Sequence, residues 1–239
     1  MAALFGSVLL LVCVHESQAL DLLSATATSG DAPPVPRVYC WCASYPNVTT
    51  CSWPEPSPSA PARYIATYRE RNNQESTKEC HLIPPGPSSS SYEQLWRCHL
   101  PNLKLLTDYI INVTAVHSSG SSSHLTSFML EDIVKPDRPV DIRVSPHGPR
   151  KMLLEWSPPP TWTNMNILPL KYHIVYKWIH RGTPMLVNLG PFENTRMELR
   201  GLTLGRTYLF QVCAEELLGL GERSDWSLPV NFTVPRPNH

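Results

Sequence analysis

Cysteine and histidine are the residues of this chain with the most versatile chemistry, because thiolates and imidazoles bind metals and act as nucleophiles or bases. The 239 residues include seven cysteines and nine histidines. The cysteines are Cys13, Cys40, Cys42, Cys51, Cys80, Cys98 and Cys213. They form no Cys-x-x-Cys pair, and no set of histidines stands beside them at ligand spacing, so the sequence predicts neither a metal site nor a cofactor.

The sequence also lacks catalytic motifs. It contains no Gly-x-Ser-x-Gly elbow and no His-Glu-x-x-His, and its histidines do not cluster with acidic residues at a recurring spacing. A serine-rich run surrounds Gly120, but neither a helix start nor a lysine follows it, so it does not predict a phosphate-binding loop. We therefore predict that the protein is not an enzyme.

The N-terminal stretch predicts a signal peptide over residues 1–19. An apolar run from Val8 to Val14 is followed by Ser17 and Ala19, small residues of the kind that precede a cleavage site. The run is shorter than the ~20 residues that a membrane-spanning helix needs. We expect cleavage after Ala19 and a secreted, extracellular protein that does not insert into membranes. The six remaining cysteines could then form disulfides, although six cysteines allow 15 connectivities and residue types alone do not choose among them.

Composition limits the function further. Twenty basic and twenty acidic residues balance to a net charge of zero, without a long run of either sign. This balance argues against binding to nucleic acid or to a membrane surface through bulk electrostatics. The 25 prolines favour short strands and turns over long helices. The chain beyond the predicted signal peptide is long enough for two domains of ~100 residues.

Apolar residues at every second position predict β-strands in both halves. Tyr109, Ile111, Val113 and Ala115 form one such row. The same alternation recurs at 140–144, 152–156, 170–176, 197–199 and 208–214. These patterns predict an all-β protein.

Three Asn-x-Thr sequons, at Asn47, Asn112 and Asn231, predict N-glycosylation. Asn112 alternates with the apolar row of its strand, so it is expected on the opposite, solvated face. Asn231 alternates in the same way with Val230 and Phe232. Sequon and strand pattern therefore agree at both positions.

A frame of tryptophan and tyrosine occurs twice. Trp53 precedes Tyr109, Trp156 precedes Tyr208, and the two tryptophans stand 103 residues apart. A leucine stands six residues before each tyrosine, a spacing that resembles the tyrosine corner of Greek-key sandwiches, in which the phenol bonds to the upstream backbone. We predict two tandem fibronectin-type-III-like β-sandwiches.

The first domain is predicted over 20–134 and the second over 135–239. Pro136 and Pro139 lie in the segment between them and should stiffen it. A proline-stiffened elbow with a preferred interdomain angle is therefore expected.

A short motif near the end of the chain gives the clearest family signal. Arg223-Ser224-Asp225-Trp226-Ser227 resembles the Trp-Ser-x-Trp-Ser motif of class I cytokine receptors, with Arg223 in place of the first tryptophan. Cys40 and, after ten intervening residues, Cys51-Ser52-Trp53 resemble the first disulfide region of the same family. The resemblance extends over nearly all of the chain beyond the predicted signal peptide, and it identifies the fold as that of a cytokine-binding module.

The family resemblance implies disulfides Cys40–Cys51 and Cys80–Cys98 in the first domain. Bonds of this kind typically contribute about 2–4 kcal/mol each. Cys42 and Cys213 are then left over. Strand parity predicts that Cys213 points outward, which leaves two interpretations open, a partly covered free thiol and an interchain disulfide.

The altered motif also implies a rebuilt aromatic ladder. In typical family members a strand arginine at the position of Cys213 stacks between the two motif tryptophans by cation–π contact. This chain has a cysteine there and only one of the tryptophans. We expect Arg223 or Lys177 to lie over Trp226 instead, in a structural role.

The resemblance further implies a helical cytokine as the partner. We expect the receptor-like subunit of a heterodimeric cytokine, which binds a four-helix-bundle chain at its elbow and engages cell-surface receptors through the complex. The predicted partner-binding residues are Lys104, Leu105, Leu106 and Thr107, then Trp162, Thr163, Asn164 and Met165, then Glu215, Glu216, Leu217, Leu218 and Leu220. The leucines and a surface-exposed Trp162 would anchor the interface, and the glutamates would steer a basic helix. Ordinary loop packing is the alternative for each.

Two other binding functions remain open at this point. One is a soluble decoy or alpha receptor that captures a complete helical cytokine. The other is an adhesion or matrix module, for which fibronectin-like sandwiches are common. The paired cysteines and the terminal motif argue against the matrix module.

Overall fold

The computed structural model describes residues 34–45, 48–55, 63–86, 94–118, 120–148 and 151–236. Within them the chain is all-β, with four sheets that form two successive sandwiches. The predicted fold class is confirmed. The predicted signal peptide and the sequon at Asn47 lie outside the described residues.

The described part of the first sandwich has eight strands. These are β1 (Tyr39–Ser44), β2 (Val48–Pro54), β3 (Arg63–Glu70), β4 (Lys78–Glu79), β5 (His81–Ile83), β6 (Leu95–Pro101), β7 (Asp108–His117) and β8 (Gly120–Met129), with a short 3-10 helix at Gln74–Ser76. One sheet has the order β1-β2-β6-β5 and the other β4-β3-β7-β8. All neighbouring strands are antiparallel.

The core of this sandwich follows the predicted alternation. On β7, Tyr109, Ile111, Val113 and Ala115 are buried, and the residues between them are only half-buried. Trp53 of β2 is buried in the same core. A period of two therefore separates the inner and outer faces, as the sequence predicted.

Two disulfides fasten the first sandwich. Cys40 of β1 is bonded to Cys51, the residue opposite it on β2. Cys80, which precedes β5, is bonded to Cys98 of β6. Cys51 and Cys98 are themselves opposite each other on β2 and β6, so the two bonds lie side by side in the core.

A 3-10 helix at Leu130–Ile133 leads to the second sandwich. Its described strands are β9 (Val140–Pro146), β10 (Lys151–Ser157), β11 (Leu170–His180), β12 (Thr183–Phe192), β13 (Arg196–Arg200), β14 (Thr207–Glu216) and β15 (Val230–Thr233). The sheet orders are β13-β10-β9 and β12-β11-β14-β15. Leu154, Tyr172, Ile174 and Phe210 are fully buried between the sheets.

Each sandwich contains a tyrosine corner. The N–H of Lys104 donates to the Tyr109 hydroxyl at 3.0 Å, and the N–H of Thr203 donates to the Tyr208 hydroxyl at 3.0 Å. Both tyrosines are buried, so these bonds give their phenol oxygens a partner. The corners predicted from the leucine–tyrosine spacing are confirmed, and they tie the loops before β7 and β14 to the core.

The terminal motif continues the edge of β14. Strand β15 pairs only with Thr207–Phe210 of β14. Further along, Ser227 donates its N–H to the Val212 carbonyl at 2.8 Å, and its hydroxyl accepts the Val212 N–H at 3.0 Å. Ser224 makes the same pair of bonds with Ala214, both at 2.8 Å. The two buried serines thus satisfy backbone groups that no strand covers, which explains why the motif requires serine.

Cys213 lies on the face that strand parity predicted, and the structure decides its exposure. It belongs to the outer face of β14 and not to the core, yet its side chain is only 2% exposed. Burial raises the pKa of its thiol to about 11, against the effect of the nearby Arg223 guanidinium. The outward orientation predicted from strand parity is confirmed, and the thiol is covered because Arg223 of the motif loop reaches Glu215 on the same face. A thiol buried in this way is not accessible for an interchain disulfide.

Two of the predicted glycosylation sites lie within the described residues. Asn231 on β15 is exposed. Asn112 on β7 is half-buried and stands opposite Leu125 of β8, on the face away from the core. Their glycosylation stays a prediction.

Candidate partner-binding site at the domain junction

Three loops and the linker meet where the two sandwiches join. Strand β7 begins opposite Met129, the residue that leads into the linker, so the β6–β7 loop lies at this end. Val140, the first strand residue after the linker, is opposite Ser157, so the β10–β11 loop begins at the junction. Leu170 is opposite Glu216, which places the β14–β15 loop there as well. These are the three loops in which the sequence predicted partner-binding residues.

The linker is hydrogen-bonded to both domains. Val134 forms a parallel β-bridge with Cys42 of β1, and the N–H of Lys135 donates to the Cys42 carbonyl at 2.9 Å. From the second domain, the N–H of Glu222 donates to the Val134 carbonyl at 2.8 Å. Gly221, with φ of +63°, lies so close to the linker that a Cβ would collide with the Val134 carbonyl. Backbone hydrogen bonds therefore tie the linker to both domains, and its stiffening by prolines stays a prediction.

A polar cluster connects β1, the linker and the second domain. The Tyr39 hydroxyl donates to Oε1 of Glu222 at 3.0 Å, and Nζ of Lys135 lies 3.2 Å from Oε2 of the same carboxylate. The Lys135 ammonium is also 6.0 Å from the centre of the Tyr39 ring. Burial, and then the hydrogen bond to Glu222, raise the pKa of Tyr39. β1, the linker and the second domain thus share one set of side-chain contacts.

The β6–β7 loop presents one leucine to solvent. Leu106 is 85% exposed, and its N–H donates to the Glu131 carboxylate in the linker helix. Leu105 instead packs against the core. Lys104 is exposed and ion-paired with a glutamate of β3 at 3.0 Å, and the Thr107 hydroxyl donates to the Leu105 carbonyl at 3.2 Å. Of the four predicted residues in this loop, Leu106 is the accessible apolar one.

Trp162 in the β10–β11 loop is not a surface residue. It is 4% exposed, and its indole N–H donates to the Leu168 carbonyl at 2.8 Å. The predicted surface aromatic is wrong, because the loop turns its indole into the core of the second sandwich. Met165 packs partly against that core, and the Asn164 amide donates at 3.4 Å to the carbonyl that follows β1. Thr163 is exposed.

Ile167 is the apolar residue of this loop that sequence reasoning missed. It is 51% exposed, while its neighbour Leu168 is buried. The run Met165-Asn166-Ile167-Leu168 signals an apolar loop segment, but a loop has no period that indicates which of its residues turns outward.

The β14–β15 loop is organised by Glu216. Its side chain is 1% exposed, and Oε2 accepts the N–H of Leu218 at 2.7 Å and that of Leu220 at 3.1 Å. A buried carboxylate engaged by its own backbone is not available to steer a partner, which corrects the predicted role of Glu216. Leu218 is 81% exposed, whereas Leu217 is half-buried and Leu220 packs against the core.

Glu215 is also engaged within the chain. Its Oε2 lies 2.6 Å from Nε2 of His173, 3.1 Å from Nε of Arg223 and 3.9 Å from Nζ of Lys171. Burial alone would raise the pKa of Glu215, but the His173 hydrogen bond and the two cations outweigh it and lower the pKa. Arg223 is thus directed to Glu215, and in the described part of the chain no cation–π contact forms over Trp226.

Exposed apolar side chains lie on the loops of the junction. Leu106, Ile167 and Leu218 are exposed on three separate loops. Among the described residues, no group of three or more His, Cys, Asp or Glu could hold a metal ion. No helix in the described part of the chain is long and apolar enough to cross a membrane. Exposed leucines on held loops suit the few anchors that carry the energy of a protein interface.

Both halves of the chain are similar in sequence to known proteins. Residues 36–128 match the family described as the IL27B N-terminal FN3 domain, and residues 137–233 match the fibronectin type III domain. Interleukin-27 subunit beta of Homo sapiens is 37% identical over 205 residues, which cover 84% of this chain and 86% of that protein. The protein of the same name from Mus musculus is 37% identical over 200 residues, covering 81% and 83%.

Receptor subunits are more distant relatives. Interleukin-11 receptor subunit alpha of Pongo abelii is 27% identical over 223 residues, which cover 89% of this chain and 52% of that protein. The identity, the coverage and the two matched domains agree with the sandwiches, the disulfides and the terminal motif described above. The chain therefore belongs to the family of interleukin-27 subunit beta, a non-enzymatic family of cytokine-receptor-like subunits built from fibronectin type III domains.

Proposed function

We propose that this protein is the secreted, receptor-like subunit of a heterodimeric cytokine. Its junction loops bind a four-helix-bundle alpha chain of the interleukin-27 alpha or interleukin-12 alpha type. The complex then presents that chain to cell-surface signalling receptors in immune regulation. The family membership supports the receptor-like role, and the disulfides suit an oxidising extracellular compartment.

One observation carries the proposal. The two most exposed leucines of the chain's described part, Leu106 and Leu218, are each held by a glutamate carboxylate that accepts the leucine's own N–H. Glu131 holds the first, and the buried Glu216 holds the second. An exposed leucine side chain does not stabilise the fold by burial. Fixing the backbone at such a residue is therefore useful when a partner covers the side chain. Pre-ordered loops also lose less conformational entropy on binding.

Alanine variants of these leucines test the site. Leu106→Ala and Leu218→Ala each remove an apolar side chain and leave the backbone bond to the glutamate in place. If each leucine is an interface anchor worth about 1–2 kcal/mol, the dissociation constant should rise about 5–30-fold per variant. The measurement is titration of the purified protein with the interleukin-27 alpha chain. Ile179→Ala is the matched control, since Ile179 is 65% exposed but lies at the opposite end of the second sandwich.

Light scattering tests the assembly itself. We expect a 1:1 complex when the protein is co-expressed with the interleukin-27 alpha chain, and improved secretion of the pair over either chain alone. A stable monomer that ignores both the interleukin-27 and the interleukin-12 alpha chains would refute the subunit assignment. Equal losses in the two leucine variants and in the Ile179 control would refute the junction as the binding site.

A soluble alpha or decoy receptor is the second candidate. It is favoured by the similarity to interleukin-11 receptor subunit alpha. Such a receptor would be secreted well alone and would bind a complete helical cytokine without forming an obligate pair with it. Secretion of the protein with and without the alpha chain therefore separates the two candidates.

A further inference from the structure

The second domain distributes its charges unevenly along its length. Four stretches of its sequence contain no Asp or Glu, namely 143–154, 171–192, 199–214 and 226–239. The acidic residues of this half lie between these stretches or before the first of them. A net charge of zero for the whole chain therefore conceals a local excess of cations.

The antiparallel topology brings the basic residues of these stretches to one end. Met152 is opposite Pro146, His180 is opposite Thr183, and Thr207 is opposite Thr233. The β9–β10, β11–β12 and β13–β14 connections and the C-terminal tail consequently meet at the end of the sandwich that faces away from the junction. We call this the distal end. Its described basic side chains are His147, Lys151, His180, Arg181, Arg200, Arg206 and Arg236.

Two groups of contacts organise these cations. On one sheet, Lys151 and Arg200 both bind Glu198, at 3.2 Å and 2.6 Å. On the other sheet, Nη2 of Arg206 lies 3.5 Å from Nδ1 of His180. The guanidinium of Arg236 packs directly against Gly205, whose N–H donates to the tail carbonyl of Val234 at 2.7 Å. The tail and the β13–β14 loop thereby hold Arg206 and Arg236 on one surface.

Most of this positive charge is not neutralised by the protein. Glu198 is the one acidic residue that the described part of the chain places among these cations. Arg181, Arg206 and Arg236 have no carboxylate within ion-pair distance among the described residues. Like charges that gather without acidic partners repel one another, and a bound polyanion relieves that repulsion.

We propose that the distal end binds a sulfated glycosaminoglycan. Arginine guanidiniums donate paired hydrogen bonds to tetrahedral oxyanions such as sulfate, and three of the uncompensated cations here are arginines. The two disulfides suit an extracellular location, where sulfated polysaccharides occur and where the anionic lipids of the cytoplasmic leaflet are absent. A linear polyanion also fits charges that are spread over the ends of two sheets.

This site is independent of the junction. Strand β11 has 11 residues and runs from the junction to the distal end, a length of about 35 Å. That distance is several times the Debye length of about 8 Å at physiological salt. The polysaccharide and a helical partner should therefore bind together, without a change in either affinity.

The test is binding of the full chain to immobilised heparin, measured at several salt concentrations. The test variant combines Arg181→Gln, Arg206→Gln and Arg236→Gln. If a cation near a polyanion contributes about 1 kcal/mol, or about fivefold in affinity, the triple variant should bind on the order of a hundredfold more weakly. The wild-type affinity should fall as salt rises, and the salt dependence should be shallower in the variant.

A charge-matched control distinguishes heparin binding at the distal end from non-specific attraction to the overall charge. Arg63→Gln, Lys78→Gln and Arg97→Gln remove three exposed cations from the first domain. This control should lose less than about threefold in affinity, because its cations lie far from the distal end. Melting curves of both triple variants should match the wild type.

Three outcomes would overturn the proposal. The first is equal loss of heparin binding in the two triple variants, which would indicate non-specific charge. The second is equal binding of desulfated heparin, and the third is binding to phosphatidylserine vesicles without binding to heparin, which would indicate a membrane surface. Titration with the interleukin-27 alpha chain should be unchanged in the distal variant, so failure here and failure of the junction site are distinguishable.

Discussion

Replacing Gly221 by alanine should loosen the junction between the two sandwiches. Gly221 has φ of +63°, and a Cβ there would collide with the backbone of Val134 in the linker. Gly219 offers a matched control two residues away. It also has a positive φ, +82°, but the nearest atoms to its Cβ would be side-chain ends at 3.8 Å and 3.9 Å, which is ordinary contact.

The magnitude follows from comparing the two substitutions. Both place a side chain in the left-handed region, which costs about 1–2 kcal/mol. Only Gly221→Ala adds overpacking, of about 1–3 kcal/mol. It should also break the 2.8 Å bond from the Glu222 N–H to the Val134 carbonyl, which is worth about 0.5–1.5 kcal/mol. We expect Gly221→Ala to destabilise the junction by about 2–4 kcal/mol more than Gly219→Ala.

Hydrogen exchange measures this difference directly. The amides of Lys135 and Glu222 donate across the junction, so their exchange reports how often it opens. A difference of about 3 kcal/mol corresponds to roughly a hundredfold faster exchange of these peptides in Gly221→Ala than in Gly219→Ala. Peptides of β7 should exchange alike in both variants. If the junction peptides also exchange alike, the close approach of Gly221 does not fix the interdomain angle.

Three further predictions concern the motif face of the second domain. Because burial raises the pKa of Cys213 to about 11, its thiol should resist alkylation near pH 8 in the native protein and react after unfolding; rapid native labelling, read by mass spectrometry, would contradict the burial. Burial would raise the pKa of Glu215, but the His173 hydrogen bond and the nearby cations lower this pKa below 4.5. The ionised Glu215 therefore stabilises the fold above pH 4.5, and this stabilisation is lost as the pH falls through the lowered pKa. Urea unfolding should then show a larger loss at acid pH for the wild type than for Glu215→Gln, and parallel pH profiles would argue against the ion cluster. Ser227→Ala should lower the free energy of unfolding by about 1–3 kcal/mol, because the buried N–H of Val212 loses its hydroxyl acceptor; an unchanged urea midpoint would mean that water replaces the hydroxyl.

The charge distribution illustrates how topology changes the meaning of composition. Balanced charge argued against binding to nucleic acid or to a membrane surface through bulk electrostatics, and that argument concerns the average over the chain. The distal end differs from the average because antiparallel strands bring every second connection to the same end of a sandwich. Cations such as Arg181, Arg206 and Arg236 are far apart in sequence, and the fold alone gathers them.

Features that repeat with the backbone could be predicted from the residues alone. The alternation at Tyr109, Ile111 and Val113 predicted strand β7 and its buried face, because side chains of a strand point to opposite sides in turn. The leucine–tyrosine spacing predicted both tyrosine corners, which are local contacts within a few residues. The disulfides, in contrast, were implied by the family resemblance, since spacing alone allowed many pairings.

The accessibility of loop and outer-face residues depends on long-range packing in the folded chain. Trp162 and Glu216 were expected to face a partner, and both are buried. The exposure of Cys213 was left open, and it is buried as well. A loop has no period, so Trp162 could turn inward while Ile167 turned outward. Cys213 obeys the strand parity, but the motif loop ten residues further along covers its face. Burial of this kind depends on contacts between segments that are distant in sequence. The pattern of neighbouring residues does not predict these contacts.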